Sequence, residues 1–315
     1  MAVVEGFSVA EDARNAGLQP KFVDADGIKT RYYEVGDPSA EPLVLCHGAG
    51  WTGTSSANTW TRNLRGLAEA GFHAFAADKL GSGLTDNPRT EDGYSIQGQV
   101  AHWWAFMRAV GLADREFHII GQSRGGYLAA RTALEHADQV KTLTVVDSAT
   151  LAPEDGQGAE RRRRLLGNEE SDLGPDTRTR TREHWRRMSF DPAHVTDEFV
   201  EAAAYMESTP KAEETRRVWR SGGSDRFAST LKAQKEETLE WFRQGKLQKP
   251  ILLYWGRNDP TAVLPLGLAL YDLIAEANER TRLFLVNRAG HFHYREYPDE
   301  FNLNVTTFMR YWTAA

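Results

Sequence analysis

The chain has 315 residues, 41% hydrophobic and 26% charged, long enough for one large α/β domain carrying an insertion or for two domains. Its formal net charge of −6 argues against a nucleic-acid or anionic-membrane surface as a partner of the whole molecule. The single cysteine, Cys46, excludes an intramolecular disulfide.

Met1 to Pro20 carries acidic residues and no continuous apolar run, so it predicts neither a signal peptide nor a membrane span, and a cytoplasmic location is expected. Lys21 to Asp24 and Lys29 to Val35 predict a hairpin turning at Asp26-Gly27. Pro42 to Cys46 follows as a buried strand, which makes Cys46 a core residue rather than a reactive thiol. Trp60 to Ala70 predicts an amphipathic helix, Phe72 to Ala77 a strand, and Ile96 to Val110 a longer helix. The next strand ends in Gly121-Gln122-Ser123-Arg124-Gly125, the chain turns helical again, and a strand over Thr142 to Val146 comes after it. Strands alternating with helices imply a parallel sheet.

From Leu151 to about Gly245 the strand signal vanishes, and arginines accumulate among acidic residues, including the run Arg161 to Arg164. Acids balance bases there and aromatics are not interleaved with the arginines, so solvated helix faces with ion pairs are expected rather than a nucleic-acid surface. Strand signals return at Pro250 to Gly256 and Arg282 to Val286. The stretch therefore interrupts a sheet, and an insertion leaving the carboxyl end of a strand lies over the crevice where such sheets bind ligands, as a lid would. The expected division is 1–150 for the first part of the core, 151–245 for the helical lid and 246–315 for the second part of the core. No internal repeat appears, and no metal site is expected, because His291 and His293, two apart, are not the helical pair of a zinc protease.

Gly-X-Ser-X-Gly between a strand and a helix places a serine at the apex of a sharp turn. The apex backbone is strained, so Gly121 and Gly125 supply the space that side chains would fill. The helix then aims its free N–H groups at the same point, where an oxyanion could develop. A serine hydroxyl needs a base and the base an orienting acid, expected downstream in the order acid, then histidine. Asp259 in Gly256-Arg257-Asn258-Asp259 and His291 in Ala289-Gly290-His291 each follow a predicted strand, on the sheet edge that carries Ser123. His293 is a rival base and Asp147 a rival acid, both ranked lower; the glycine before His291 suits a tight approach to the serine, while Asp147-Ser148 reads as a cap on the entry into the lid. His47-Gly48-Ala49-Gly50, directly after a strand, supplies the second oxyanion donor, so the backbone N–H groups of Ala49 and Arg124 are assigned to that hole.

These motifs, together with Asp78-Lys79-Leu80-Gly81-Ser82-Gly83, resemble the α/β-hydrolases in order and spacing over residues 42–302. The resemblance implies a mostly parallel eight-stranded sheet with helices on both faces, an inserted helical lid, a Ser123–His291–Asp259 triad and no cofactor. Serine at the elbow separates the chain from the dehalogenase and epoxide-hydrolase branches. Within the fold the chain is similar to the meta-cleavage product hydrolases, which split a carbon–carbon bond in ring-opened aromatic catabolites. Thr181 to Val200, and Gly290-His291-Phe292 running on to Glu296 and Asn302, carry that likeness.

Three departures concern the substrate. Ala202-Ala203-Ala204 stands where that family usually has a lid arginine for the substrate carboxylate, Arg124 replaces its usual Met after the nucleophile, and Phe292 replaces its usual Trp after the histidine. Arg124 or a lid arginine is therefore expected to grip the carboxylate, against the alternative that Arg124 pairs with an acidic neighbour on its helix. Substrate-contact candidates are Gly48, Arg124, Trp51 and Phe292, in a pocket to which Trp103, Trp104, Trp185 and Trp219 could also contribute, although tryptophans are more often plain core. The expected partner is a small-molecule substrate, with no nucleic acid and no membrane; a homo-oligomer is an open alternative to a monomer. Carbon–carbon cleavage leads, ester or lactone hydrolysis uses the same machinery, and a non-hydrolytic binding protein or lyase of the fold is the third reading.

Overall fold

The computed structural model describes residues 18–48, 51, 55–167 and 170–313. The amino-terminal stretch up to Gly17 and the oxyanion candidate Ala49 lie outside the described residues. The first elements are β1 (Lys21–Ala25), β2 (Ile28–Val35), β3 (Glu41–Cys46), α1 (Thr61–Glu69), β4 (Phe72–Ala77), α2 (Ile96–Ala109), β5 (Phe117–Gln122), α3 (Arg124–Glu135) and β6 (Val140–Val146). Then come α4 (Gly158–Leu166), α5 (Thr177–Met188), α6 (Asp197–Glu207), α7 (Pro210–Val218) and α8 (Ser224–Arg243), followed by β7 (Ile251–Gly256), α9 (Leu264–Ala275), β8 (Thr281–Val286), α10 (His293–Glu296) and α11 (Pro298–Thr313).

The strands form one eight-stranded sheet in the order β1-β2-β4-β3-β5-β6-β7-β8. Only β2 breaks the parallel run, pairing antiparallel with β1 and β4. The β1–β2 turn falls at Asp26-Gly27, both at positive φ (54° and 81°), which fits a tight hairpin whose twist matches that of the strands. Successive side chains of a strand point to opposite faces, and the core divides accordingly. Val44 and Cys46 join one apolar layer with Ile119, Leu253, Trp103 and Phe106, covered by α2, α3 and α9. Leu43 and Leu45 join the other with Ile120, Leu252, Leu64 and Phe301, covered by α1 and α11. Cys46 is buried as a core residue.

Ile119, fully buried in the central strand β5, measures how far the sheet depends on this packing. Ile119→Ala should lower the unfolding free energy by about 2–5 kcal/mol. An unchanged urea midpoint would contradict the layer assignment.

Helices α4 to α8 all fall between β6 and β7, and the starts of α5, α6 and α7 are written in the sequence. Asp176 accepts the Thr179 N–H at 3.0 Å, Thr196 the Phe199 N–H at 3.3 Å, and Thr209, before Pro210, the Ala212 N–H at 3.4 Å. Helix α5 is polar almost all round, but Thr181, Trp185 and Met188 recur at helical spacing and are its buried seam. The arginines pair locally as expected: Arg161 with Asp155, and Arg163 and Arg164 with Glu160. Among the described residues no helix is long and apolar enough to cross a membrane.

Candidate active site

Strand β5 stops at Gln122 and α3 starts at Arg124, leaving Ser123 alone at φ 53°, ψ −121°. A non-glycine residue at such angles costs about 1–3 kcal/mol, so the surroundings must hold it there. They do so through its backbone. The Ser123 N–H donates to the Val146 carbonyl (2.8 Å), while its own carbonyl accepts from the Gly126 N–H (2.9 Å) and Ser148 Oγ (2.5 Å). A Cβ on Gly121 would lie 2.1 Å from the Gly125 carbonyl oxygen, and one on Gly125 would lie 2.3 Å from that of Cys46. Both glycines are thus required for α3 to sit against β3 and β5. Gly48 approaches from the next strand: a Cβ there would lie 2.9 Å from the Ser123 Cβ.

Asp259 and His291 meet beyond the ends of β7 and β8. Asp259 Oδ1 is occupied by the N–H groups of Thr261 (2.7 Å) and Ala262 (2.9 Å) and by the Thr261 hydroxyl (2.9 Å). Its Oδ2 is thereby turned to His291 Nδ1 at 2.5 Å, with both side chains buried. Burial alone would raise the Asp259 carboxyl, but the His291 charge and hydrogen bond, with the two backbone N–H groups, hold it below its usual range. Burial likewise works to lower His291, and the Asp259 carboxylate outweighs it, so the imidazole is more basic than usual. With Nδ1 engaged, Nε2 is the end left for proton transfer. Gln122, the residue before the serine, donates from Nε2 to the His291 carbonyl at 3.1 Å, tying the histidine loop to the elbow. Its value at this position was not legible in the sequence.

The α5 end of the insertion is seated on the same loop. The His291 N–H donates to the Met188 carbonyl (2.8 Å), and a Cβ on Gly290 would lie 2.5 Å from Phe190 N. Trp185 stacks on Phe292 at 3.9 Å. Glu296 completes the junction, accepting from the N–H groups of Phe190 (3.3 Å), Asp191 (3.2 Å) and Gly290 (3.2 Å). In sequence Glu296 lies between Arg295 and Tyr297 with nothing to show what it joins, and only the fold reveals that.

Ser123, Arg124, His291, Trp185 and Phe292 line one cavity of about 520 Å³ between the sheet edge and the insertion. The aromatic candidates divide. Trp51 packs on Tyr94 (5.0 Å), Trp219 (6.1 Å) and Phe227 (5.8 Å) and is absent from the cavity wall. Trp103 is core and Trp104 stacks on His136. The tryptophans of α2 therefore serve the sheet, and Trp185 is the one on the cavity wall.

Arg124 has no carboxylate partner among the described residues; its guanidinium lies 4.5 Å over the Phe227 ring, with Nε and Nη1 buried and without hydrogen bonds. Burial, and then the charge of Arg162, push it down to about 10. The alternative of an acidic neighbour along the helix is not what the structure shows. The backbone N–H of Arg124, first in α3, has no acceptor within the helix, as an oxyanion donor requires. His47 braces the neighbouring loop instead of entering the cavity: its Nε2 accepts the Lys79 N–H (3.0 Å), so Nδ1 is the donor to the Gly48 carbonyl (2.9 Å). Burial holds its pKa well below the ordinary value, consistent with that neutral form.

The rival pair is displaced from the cavity. His293 is buried beneath His291, stacked on Tyr254 at 5.0 Å. Asp147 does not cap the entry into the insertion, since Ser148 Oγ accepts the Leu151 N–H there at 3.2 Å. The Asp147 side chain turns inward and accepts the Gly256 N–H at 2.9 Å.

Comparison with known proteins agrees with this fold. The model of the alpha/beta hydrolase fold family matches residues 41–296. A 2-hydroxy-6-oxo-6-(2'-aminophenyl)hexa-2,4-dienoic acid hydrolase of Metapseudomonas resinovorans is 24% identical over 308 residues, covering 96% of this chain and 94% of that protein. A 2-hydroxy-6-oxononadienedioate/2-hydroxy-6-oxononatrienedioate hydrolase of Paraburkholderia xenovorans is 25% identical, covering 92% and 94%. The solved meta-cleavage product hydrolase of Pseudomonas fluorescens IP01 superposes with a TM-score of 0.70 at 25% identity, over 92% of this chain and 97% of that one. The chain belongs to the alpha/beta hydrolase fold family.

Proposed function

We propose that the protein is a serine-type hydrolase that cleaves a carbon–carbon bond in a ring-opened aromatic catabolite, a vinylogous diketone acid, beneath a lid formed by α4 to α8. The observation that carries the serine machinery is the strained Ser123 sharing a cavity with a histidine whose other nitrogen lies 2.5 Å from Asp259. The carbon–carbon bond is favoured by the full-length relatives, whose names denote oxo-dienoate hydrolases.

In this mechanism His291 first assists the enol-to-keto shift of the substrate, then deprotonates Ser123 or an attacking water. The oxygen adds to the ketone carbon, and the N–H groups of Arg124 and Ala49 hold the oxyanion. When the adduct collapses, the electron pair of the carbon–carbon bond leaves with the dienoate half, which is protonated at carbon. On the serine route the acyl half stays on Ser123 as an ester until a water deprotonated by His291 releases it as the acid; on either route water adds across the bond, hydroxyl to the acyl half and hydrogen to the other. An ester or lactone would pass through the same Ser123 acyl-enzyme. Trapping with a fluorophosphonate tests the first step: an adduct on Ser123 is expected, and an unlabelled protein beside a labelled control hydrolase would overturn the reading.

The unpaired Arg124 guanidinium fits the substrate carboxylate. Arg124→Met should raise the KM of an anionic substrate by about 10- to 100-fold, because hydrogen bonds to a charged group contribute about 1.5–3 kcal/mol. An unchanged KM would remove Arg124 from the site.

The pH profile has a definite sign. His291 works as a base only when neutral, and the Asp259 carboxylate outweighs burial to raise its pKa. Measured kcat/KM should therefore fall as pH drops through an inflection above the ordinary histidine value of 6.5. An inflection below that value would contradict the coupling.

A further inference from the structure

The mechanism above uses only the backbone of the loop after β3, yet one side chain that follows it reaches the cavity. Ser55 is 4% exposed and stands on the cavity wall with Ser123 and Gln122. Its hydroxyl is engaged on one side only. His47 Nε2 accepts the Lys79 N–H at 3.0 Å, so the proton of the neutral ring is on Nδ1, which lies 2.9 Å from the Gly48 carbonyl and 3.1 Å from Ser55 Oγ. Toward His47, then, Ser55 is an acceptor and cannot give its own proton. No other acceptor meets that O–H among the described residues. The next serine differs, because Ser56 Oγ is spent on the Asn58 N–H at 3.2 Å, capping the turn that begins there. Ser55 is also held from both directions. Two residues on, the Ala57 N–H donates to Asp78 Oδ1 at 2.7 Å, and Asp78 is itself fixed by Arg31 Nε at 2.7 Å. On the other side, the shared Nδ1–H sets Ser55 Oγ beside the Gly48 carbonyl, and a Cβ on Gly48 would lie 2.9 Å from Ser123 Cβ. The free O–H therefore stands on the flank of the nucleophile where the loop assigned to the oxyanion hole arrives.

We infer that the Ser55 hydroxyl is a further catalytic group, a side-chain donor to the substrate oxygen that becomes negatively charged when Ser123 or water adds. The inference rests on the serine mechanism proposed above, but not on which bond is cleaved, because a ketone, an ester and a phosphonyl centre all place charge on that oxygen. Two features suit Ser55 to the task. A hydroxyl can turn its proton about the Cβ–Oγ bond to follow the oxygen as the attacked centre becomes tetrahedral, while the His47 N–H keeps Oγ in place. An oxygen that already accepts a hydrogen bond is also a stronger donor through its own O–H. The pairing of Ser55 with His47 thus joins the buried imidazole, which does not enter the cavity itself, to the charge that develops there.

The test is the second-order rate of Ser123 labelling by a fluorophosphonate in Ser55→Ala, Ser55→Cys and Ser55→Thr, with the melting temperature recorded for each protein. Losing one oxyanion donor slows catalysis by about 100-fold or more, so the alanine protein should label slower by about that factor. Cysteine fills the place of serine but is only a weak donor, and should fall with alanine. Threonine keeps the O–H, and should label at least 10-fold faster than either. If the alanine protein does not fold, the cysteine and threonine proteins carry the same comparison. A loss of less than 10-fold on removing the hydroxyl, or a threonine protein as slow as the other two, would overturn the role of Ser55 while leaving the triad intact. A wild-type protein that does not label would overturn both.

Discussion

Ser123→Ala should lower kcat by about 10³-fold or more on any substrate the enzyme cleaves, with folding unaffected. The fold is insulated from the change because what fixes residue 123 is its backbone, through Val146, Gly126 and Ser148. The hydroxyl that is lost is the proposed nucleophile, and His291 and Asp259 keep their 2.5 Å contact without it. Residual turnover would then come from binding and the oxyanion donors alone. A rate within 10-fold of wild type, measured on purified protein of unchanged melting temperature, would mean that another group attacks.

Gly125→Ala should act on the fold and on the chemistry together. The added methyl would lie 2.3 Å from the Cys46 carbonyl oxygen and 2.5 Å from that of His47, and both obstacles are backbone. Helix α3 would have to retreat from β3, at a cost of about 1–3 kcal/mol. The retreat carries the Arg124 N–H and Ser123 with it. Misplacing one oxyanion donor costs about 10²–10³ in kcat, so labelling and turnover should fall by roughly that factor even at temperatures where the protein remains folded. Urea unfolding and fluorophosphonate labelling of the same preparation separate the two losses. Wild-type stability with wild-type labelling would contradict the close approach of α3 to β3.

The parts of this site that were legible before folding are those whose chemistry demands particular neighbours in the chain. Ser123 needs glycines two residues to either side, and Asp259 and His291 need strands immediately before them, so local patterns reveal all three. The sheet was readable for a similar reason: buried parallel strands are continuous apolar runs broken by helical periodicity. What escaped depends on contacts between distant segments. Trp51 resembles a pocket residue in sequence, but Tyr94, Trp219 and Phe227, all remote in the chain, draw it into their own cluster. Asp147 reads, with Ser148, as a cap on the entry into the lid, and only the packing of β6 on β7 turns its carboxyl onto Gly256. Glu296 and Gln122 fasten the histidine loop to the insertion and to the elbow, and neither residue type announces such a role locally.

The central claim is that this serine machinery opens a carbon–carbon bond. A ring-fission dienoate is yellow, and cleavage of its carbon–carbon bond removes the visible absorbance. Wild-type protein should bleach such a dienoate catalytically, while the Ser123→Ala protein leaves the colour in place. A wild-type protein that leaves the dienoate yellow while releasing nitrophenol from a nitrophenyl ester would contradict the claim and make the enzyme an esterase.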